Sequence, residues 1–406
     1  MYVVEELRRR GLQDILQMSH ILQKSCAAQK PDSMQRSNVM QRPDALERPD
    51  MLQVPDGQAG TVSAWENCRS SLMQLILQEE YGFLPPEPVA LYAEKLETVN
   101  ENFCAGKAPL RRVRLTAQLE GGSFSFPVQY VIPKNGSGMY PAFILIQFRS
   151  DVPDRSYPAE EIADQGFAVF VLDYQDIARD QKEGYLSGLG QLLFPDGKRA
   201  ESSCGTIGMW AWGAMRVCDF ACQLSEIDRR HIAVIGHSRL GKTALLAGAC
   251  DSRFRYVISN DSGCSGAAIS RQKSGETIAD ICQRFDYWFC ERYTSYAERE
   301  AALPFDQHAL IAACAPRSVL VGSAALDSWA DPESEYLGLC AASPVWNLYG
   351  KKGLIHPDRP ARANDVFYDG DIGYHQRPGT HYLSRQDWHY YMDFIQRQIQ
   401  AEGHSL

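Results

Sequence analysis

The sequence has no apolar run long enough to cross a bilayer, which excludes a spanning helix. It also lacks a basic stripe. The net charge is −9, with 50 acidic against 41 basic side chains, so neither nucleic acid nor an anionic membrane is expected as a partner. Met1 to Arg10 are mixed polar and lack the charged start and apolar stretch of a secretory leader. A cytoplasmic location is therefore expected for the chain as written, and a secreted one only if a leader precedes it in nature. No C-x-x-C pair occurs among the twelve cysteines, and nothing else in the sequence asks for a metal or cofactor. Cys218, Cys222, Cys250 and Cys314 sit inside apolar stretches. Reduced, buried thiols are the expectation, not a disulfide framework.

What is present is a chain of 406 residues, 45% hydrophobic and 22% charged. That suits one large α/β domain, 61–406, behind an N-terminal extension, 1–60. Within it the stretch Pro31–Gly57 repeats a Pro-Asp unit (Pro31-Asp32, Pro43-Asp44, Pro49-Asp50, Pro55-Asp56), and proline at that density forbids a continuous helix or a central strand. It is read as an extended linker or a partner-binding arm. An amphipathic helix is expected from Ser63 to Tyr81, ending before Gly82. Arg112–Leu119 and Phe124–Val131 form a hairpin pattern around Gly121-Gly122. Buried-strand runs follow at Ala142–Phe148, Phe167–Asp173, Ile232–Gly236, Tyr256–Asn260 and Ser318–Ser323, with a last strand at Asp371–Gln376. Helical patterns lie between and after them at Gly205–Leu224, Leu240–Cys250, Glu276–Arg292, Pro332–Tyr349 and Arg385–Gln400. Antiparallel strands first and β-α repeats afterwards predict a three-layer α/β sandwich with a mostly parallel sheet. Chemistry in such a sheet sits at the carboxyl ends of its strands.

The stretch Ile232-Ala-Val-Ile-Gly236-His237-Ser238-Arg239-Leu240-Gly241-Lys242-Thr243 runs from strand through turn into helix. Two chemistries fit it. Gly236 to Thr243 satisfies G-x-x-x-x-G-K-[ST], the phosphate-binding P-loop. Against that, sheet strands already precede the motif, Val257–Asp261 is a weak magnesium-binding strand, and His-Ser-Arg-Leu is bulky where backbone N–H groups would approach phosphate. The alternative is a nucleophile elbow, with Ser238 on a strained turn, although position 240 is Leu where G-x-S-x-G has its second glycine. The chain order Ser, acid, His favours the elbow. Asp327 and Asp331 lie in a polar loop after Ser318–Ser323, and His381 lies in the Pro/Gly loop Arg377-Pro-Gly379-Thr-His381. Ser238 is then the nucleophile, His381 the base, and a carboxylate fixes the imidazole tautomer. His375, inside the last strand, suits a packing or hydrogen-bonding role. The Arg239 N–H is expected to serve the oxyanion, with a second donor from the loop near Arg149.

These residues resemble a known family. Gly236-His-Ser238-Arg239-Leu-Gly241-Lys242 resembles the G-C-S-R-x-G-K signature of the glucuronoyl esterases, carbohydrate esterase family 15. Gly205–Gly213, Ser262–Arg271 with Gly275-Glu276, Trp329-Ala-Asp-Pro332 and Arg377–His381 are similar to further segments of that family, from about residue 65 onward. The resemblance implies an α/β-hydrolase fold and metal-free Ser-His-acid cleavage of glucuronic acid esters, on a small-molecule or oligosaccharide substrate. It implies Arg239 as an oxyanion stabiliser, with Lys242, Glu276 and Trp329 as the sugar site and Arg271 beside it. The chain departs from the family at two places. His237 stands for the motif's cysteine, and Asp261 stands for the family's frequent Glu before Ser-Gly. Asp327 is therefore the expected acid and Asp261 the second choice. An acetyl-xylan or feruloyl esterase, or an inactive hydrolase-fold binding protein, is the alternative.

Overall fold

Alternation of apolar side chains builds the centre of the sheet. On strand β4 (Tyr140–Gln147), Phe143 and Leu145 enter one core while Ile144 and Ile146 enter the other. On β6 (Ile227–His237), Ala233 and Ile235 alternate in the same way with Ile232 and Val234. Both faces are covered, so these runs read as continuously apolar. The computed structural model describes residues 2–12, 14–15, 61–134 and 138–403. The Pro-Asp repeat lies outside them.

The remaining strands are β1 (Ala90–Asn100), β2 (Leu110–Leu119), β3 (Gly122–Val131), β5 (Ala168–Asp173), β7 (Tyr256–Asn260), β8 (Ser318–Ala324), β9 (Asp365–Phe367) and β10 (Ile372–Arg377). They form one sheet in the order β1-β2-β3-β5-β4-β6-β7-β8-β10-β9. β1, β2 and β3 pair antiparallel, and β5, β4, β6, β7, β8 and β10 run parallel. The expected hairpin is β2–β3, with Leu119 opposite Gly122. β1 and β9 carry no strand signal in the sequence. β1 is half-buried or exposed along its whole length, so it has no inside-outside alternation, and β9 has only three residues.

Helices α1 (Tyr2–Arg9), α2 (Val62–Ile76), α3 (Ala159–Asp164), α4 (Thr206–Ala221), α5 (Arg239–Cys250), α6 (Ile278–Phe285), α7 (His308–Ala312), α8 (Pro332–Ala342), α9 (Pro344–Leu348) and α10 (Arg385–Ala401) cover the sheet. α4 and α5 pack on one face through Trp210, Trp212 and Leu245, and α3 and α10 on the other through Ile162, Trp388 and Phe394. Two expected helices are shorter than their patterns. Pattern 276–292 yields only α6 followed by 3-10 turns, because the Thr277/Asp280 capping box starts the helix late and Phe285, Tyr287 and Trp288 turn to other tasks. Pattern 332–349 breaks at Ser343-Pro344, where proline takes the first position of a new helix. No helix among the described residues is long and apolar enough to cross a membrane. All eleven described cysteines are free thiols.

Candidate active site

Ser238 follows β6 directly with φ +59° and ψ −128°, a backbone conformation that costs a non-glycine residue about 1–3 kcal/mol. Its N–H donates to Asn260 O at 2.8 Å, which extends the β6–β7 ladder into the turn. Its carbonyl accepts from the N–H groups of Gly241 (2.8 Å) and Lys242 (3.2 Å), which opens α5 at once. A Cβ at Gly236 would sit 2.0 Å from Leu240 O, so only glycine lets the turn close this tightly. The Arg239 N–H, at the first helical position, has no intrahelical acceptor.

The same details overturn the P-loop alternative. An ammonium has three donors. Those of Lys242 go to Ser262 O (2.6 Å), Cys264 O (2.6 Å) and Glu276 Oε2 (3.3 Å). The Thr243 hydroxyl donates back into its own helix, to Arg239 O at 2.9 Å. Neither side chain is available to phosphate or magnesium. The glycines of the motif serve backbone packing.

His381 and Asp327 arrive on two loops that are stitched together. Ala325 N–H donates to Arg377 O and Leu326 N–H to Gly379 O, both at 2.9 Å. His381 Nδ1 then lies 2.6 Å from Asp327 Oδ2. Burial pushes the Asp327 carboxyl up, but the hydrogen bond and charge of His381 outweigh it, and the net shift is downward. The carboxylate faces Nδ1, so Nε2 is the nitrogen left to take a proton. The His381 loop is itself held by Arg377. That guanidinium pairs with Asp387 (2.8 Å), lies 3.4 Å from Asp261 Oδ2, and donates to the carbonyls of Thr380 and Tyr382.

Asp261 lies beside this pair but does not hydrogen-bond to the histidine. One carboxyl oxygen from each of Asp261 and Asp327 and one ring nitrogen of His381 lie within 4.8 Å of one another. Asp261 Oδ1 accepts from Ala324 N–H at 2.7 Å. Burial, followed by the charges of Glu335 and Asp387, raises its carboxyl well above the ordinary range against the pull of Arg377. His237 sits against the His381 ring, centroid to centroid 4.5 Å, with Nδ1 2.8 Å from Asn260 Oδ1. Burial and then the neighbouring His381 push its pKa down to about 3, so it stays neutral. His375 is fully buried between Tyr368 OH (2.7 Å) and Asp387 Oδ1 (2.8 Å), consistent with a hydrogen-bonding role.

Ser238, Arg239, Lys242, Asp261, Glu276, Trp329 and His381 line one cleft of about 220 Å³. Glu276 accepts from Lys242 and, through Oε1, from Trp329 Nε1 at 3.2 Å. Trp329 is 42% exposed at the mouth, with the Arg284 guanidinium 5.1 Å from its ring centre. The Arg239 guanidinium pairs with Asp180 and lies 4.8 Å from the Trp288 ring centre, while its buried Nε has no partner among the described residues.

One expected residue is elsewhere, and the Arg149 side chain, in the loop expected to give a second oxyanion donor, also lies outside the cleft. Arg271 is outside the cleft; it donates to Leu303 O, Phe305 O and Asp306 Oδ2. Arg149 is bidentate to Asp154 at 2.9 Å in a separate surface groove. Lys242 lines the cleft, with its ammonium on Ser262 O, Cys264 O and Glu276 Oε2.

Other residues in or behind the cleft had escaped the sequence. Asp180 gathers Arg239, Tyr174, Tyr287 and Trp288 on one carboxylate. Phe285 and Trp288 stack at 3.9 Å and form a wall. The only available signal for Asp180 was its place in the loop beyond the carboxyl end of β5.

A parallel sheet in this strand order, with a positive-φ serine at its central strand–helix turn, is the α/β-hydrolase arrangement. A family model described as fungal glucuronyl esterase matches residues 115–350. The chain is 31% identical over 309 residues to a 4-O-methyl-glucuronoyl methylesterase of Wolfiporia cocos, covering 73% of this chain and 70% of the relative. It is 47% identical over 190 residues to a carbohydrate esterase, MZ0003, from an unknown prokaryotic organism, covering 47% of this chain and 44% of that one. The solved glucuronoyl esterase of Solibacter usitatus superposes with a TM-score of 0.78 at 30% identity, over 87% of this chain and 98% of that chain. The chain belongs to the glucuronoyl esterase family, carbohydrate esterase family 15.

Proposed function

We propose that the chain hydrolyses esters of glucuronic acid or its 4-O-methyl form through an acyl-enzyme on Ser238. The observation that carries this is His381, paired with Asp327 at 2.6 Å, lining one cleft with the positive-φ Ser238. His381 Nε2 takes the proton as Ser238 Oγ attacks the ester carbonyl, and Asp327 stabilises the imidazolium. The carbonyl oxygen becomes an oxyanion met by the Arg239 N–H and by the unpartnered Nε of its guanidinium, which Asp180 holds in place. Collapse of the intermediate breaks the C–O bond, and His381 returns its proton to the departing alkoxide. Water then attacks the acyl-enzyme with His381 again as base.

On the sugar side, Glu276 keeps lone pairs for ring hydroxyls after accepting from Lys242 and Trp329, and the exposed Trp329 face lies along the ring.

Ser238→Ala is expected to abolish both hydrolysis of methyl glucuronate and labelling by a fluorophosphonate probe. Labelling that persists in Ser238→Ala, or is absent from the wild type, overturns the mechanism. The wild type is expected to prefer methyl glucuronate to its galacturonate epimer and to an acetyl ester in kcat/KM. A preference for the acetyl ester would make the protein a different carbohydrate esterase.

A further inference from the structure

Helix α1 precedes the region matched by the family model, and it docks on the loops that carry the sugar side of the cleft. Arg10, just beyond α1, is buried (5% exposed), and its guanidinium donates to Ser334 Oγ at 2.6 Å. That hydroxyl in turn donates to Asp331 Oδ2 at 2.6 Å. The same carboxylate oxygen accepts from Ser274 N–H at 2.9 Å. One polar chain therefore runs from Arg10 through the Asp327–Pro332 loop to the loop before Glu276. The two loops are laced further on, where Glu276 N–H donates to Trp329 O at 2.9 Å. Gly275, at φ +69°, brings its backbone so close that a Cβ there would lie 2.3 Å from Ser328 O.

Asp331 itself has a left-handed backbone, φ +66°, which is strained for a residue with a Cβ and has to be held by its partners. Arg10 occupies an acceptor site of the Ser334 hydroxyl and so turns its proton toward Asp331. Its Nε is paired in turn with Glu6 Oε1 at 2.9 Å, which fixes the guanidinium against α1. A second tie lies one residue away, where Arg9 and Gln272 exchange two 3.0 Å hydrogen bonds. Tyr2 and Val3 N–H groups anchor the start of α1 on Asp358, both at 3.0 Å.

We infer that α1 is a clip and Arg10 a positioning residue: through Ser334 and Asp331 it sets the spacing between Trp329 and Glu276, and so selects for the uronate sugar. The substrate part of this rests on the proposed function; the mechanical part does not.

The full chain carrying Arg10→Met, which keeps the aliphatic stem, is compared with Arg10→Lys, which keeps a charged donor. For methyl glucuronate, Arg10→Met is expected to raise KM about fivefold, the scale of losing one charged hydrogen bond, while kcat falls less than about twofold. The ratio of kcat/KM for the glucuronate ester to that for an acetyl ester should fall by a similar factor, and Arg10→Lys should recover most of it. Ser334→Ala should lower the same ratio and, combined with Arg10→Met, add little more. Hydrogen exchange gives an activity-free readout: the Ser274 and Glu276 amides should exchange about tenfold faster in Arg10→Met. A lowered melting temperature with the substrate ratio and both amides unchanged overturns the inference. A wild type inert to glucuronate esters, with the amides accelerated as expected, sinks the functional reading and leaves the clip standing.

Discussion

At the scale of single residues, two aspartates compete for one histidine. Asp327 reaches His381 Nδ1 at 2.6 Å and is held ionised, whereas Asp261 is committed to Ala324 N–H and pushed toward its neutral form. Asp327→Asn should therefore lower kcat by about 10³–10⁴, since an amide can leave the imidazole in the wrong tautomer. Asp261→Asn keeps a neutral group of the same shape and should cost less than about tenfold. Steady-state kinetics on a soluble glucuronate ester check this, and the reverse order would reassign the acid. The sequence carried Ser238, His381 and both candidate acids, because chain order narrows a triad to a few positions. It could not show that Lys242 spends its donors on Ser262, Cys264 and Glu276, since those partners lie 20 or more residues away. It could not show either that Arg271 faces Asp306, away from the cleft.

Among elements, legibility followed burial. The doubly covered strands β4 to β8 announce themselves as apolar runs, while β1 has no buried face and left no pattern. Apolar spacing misled where it served a cleft: Phe285, Tyr287 and Trp288 look like one side of a continuing helix, yet two of them wall the site. Helix α10 shows the opposite case, a start written locally. Ser384 and Asp387 form a reciprocal capping box, and the helix begins directly after it. Asp387 also receives Arg377 and His375, so its replacement would disturb the His381 loop as well. Ser384→Ala isolates the cap. It should cost about 1 kcal/mol in urea unfolding, with the midpoint shifted and the slope unchanged. A loss under a few tenths of a kcal/mol would mean the box adds nothing beyond the packing of Trp388 and Phe394.

For the molecule as a whole, buried acids set how stability responds to pH. Glu80 is fully buried, and burial raises its pKa from an ordinary 4.5 to about 8, opposed by Gln307 and assisted by Asp306. Gln307 Nε2 lies 3.0 Å from both carboxyl oxygens while Gln307 Oε1 has no donor among the described residues. A protonated Glu80 can donate to Gln307 Oε1 once the amide is turned over, which gives that oxygen a partner. Glu335, also fully buried, is raised to about 7 by the same cause. Such groups bind a proton more tightly in the folded chain than in the unfolded one. The stability they contribute is complete below about pH 4.5 and is lost as pH rises through 7 and 8. Asp327, Asp180 and Asp387 are shifted downward and act in the opposite sense, contributing above their unfolded pKa values and losing that contribution in acid. The melting temperature should therefore peak on the mildly acidic side and decline from about pH 5 to 8. Glu80→Gln keeps the pairing with Gln307 and removes the titration, so its melting temperature should decline less over the same range. An identical slope in wild type and Glu80→Gln would show that Glu80 is already ionised in the folded protein near neutral pH.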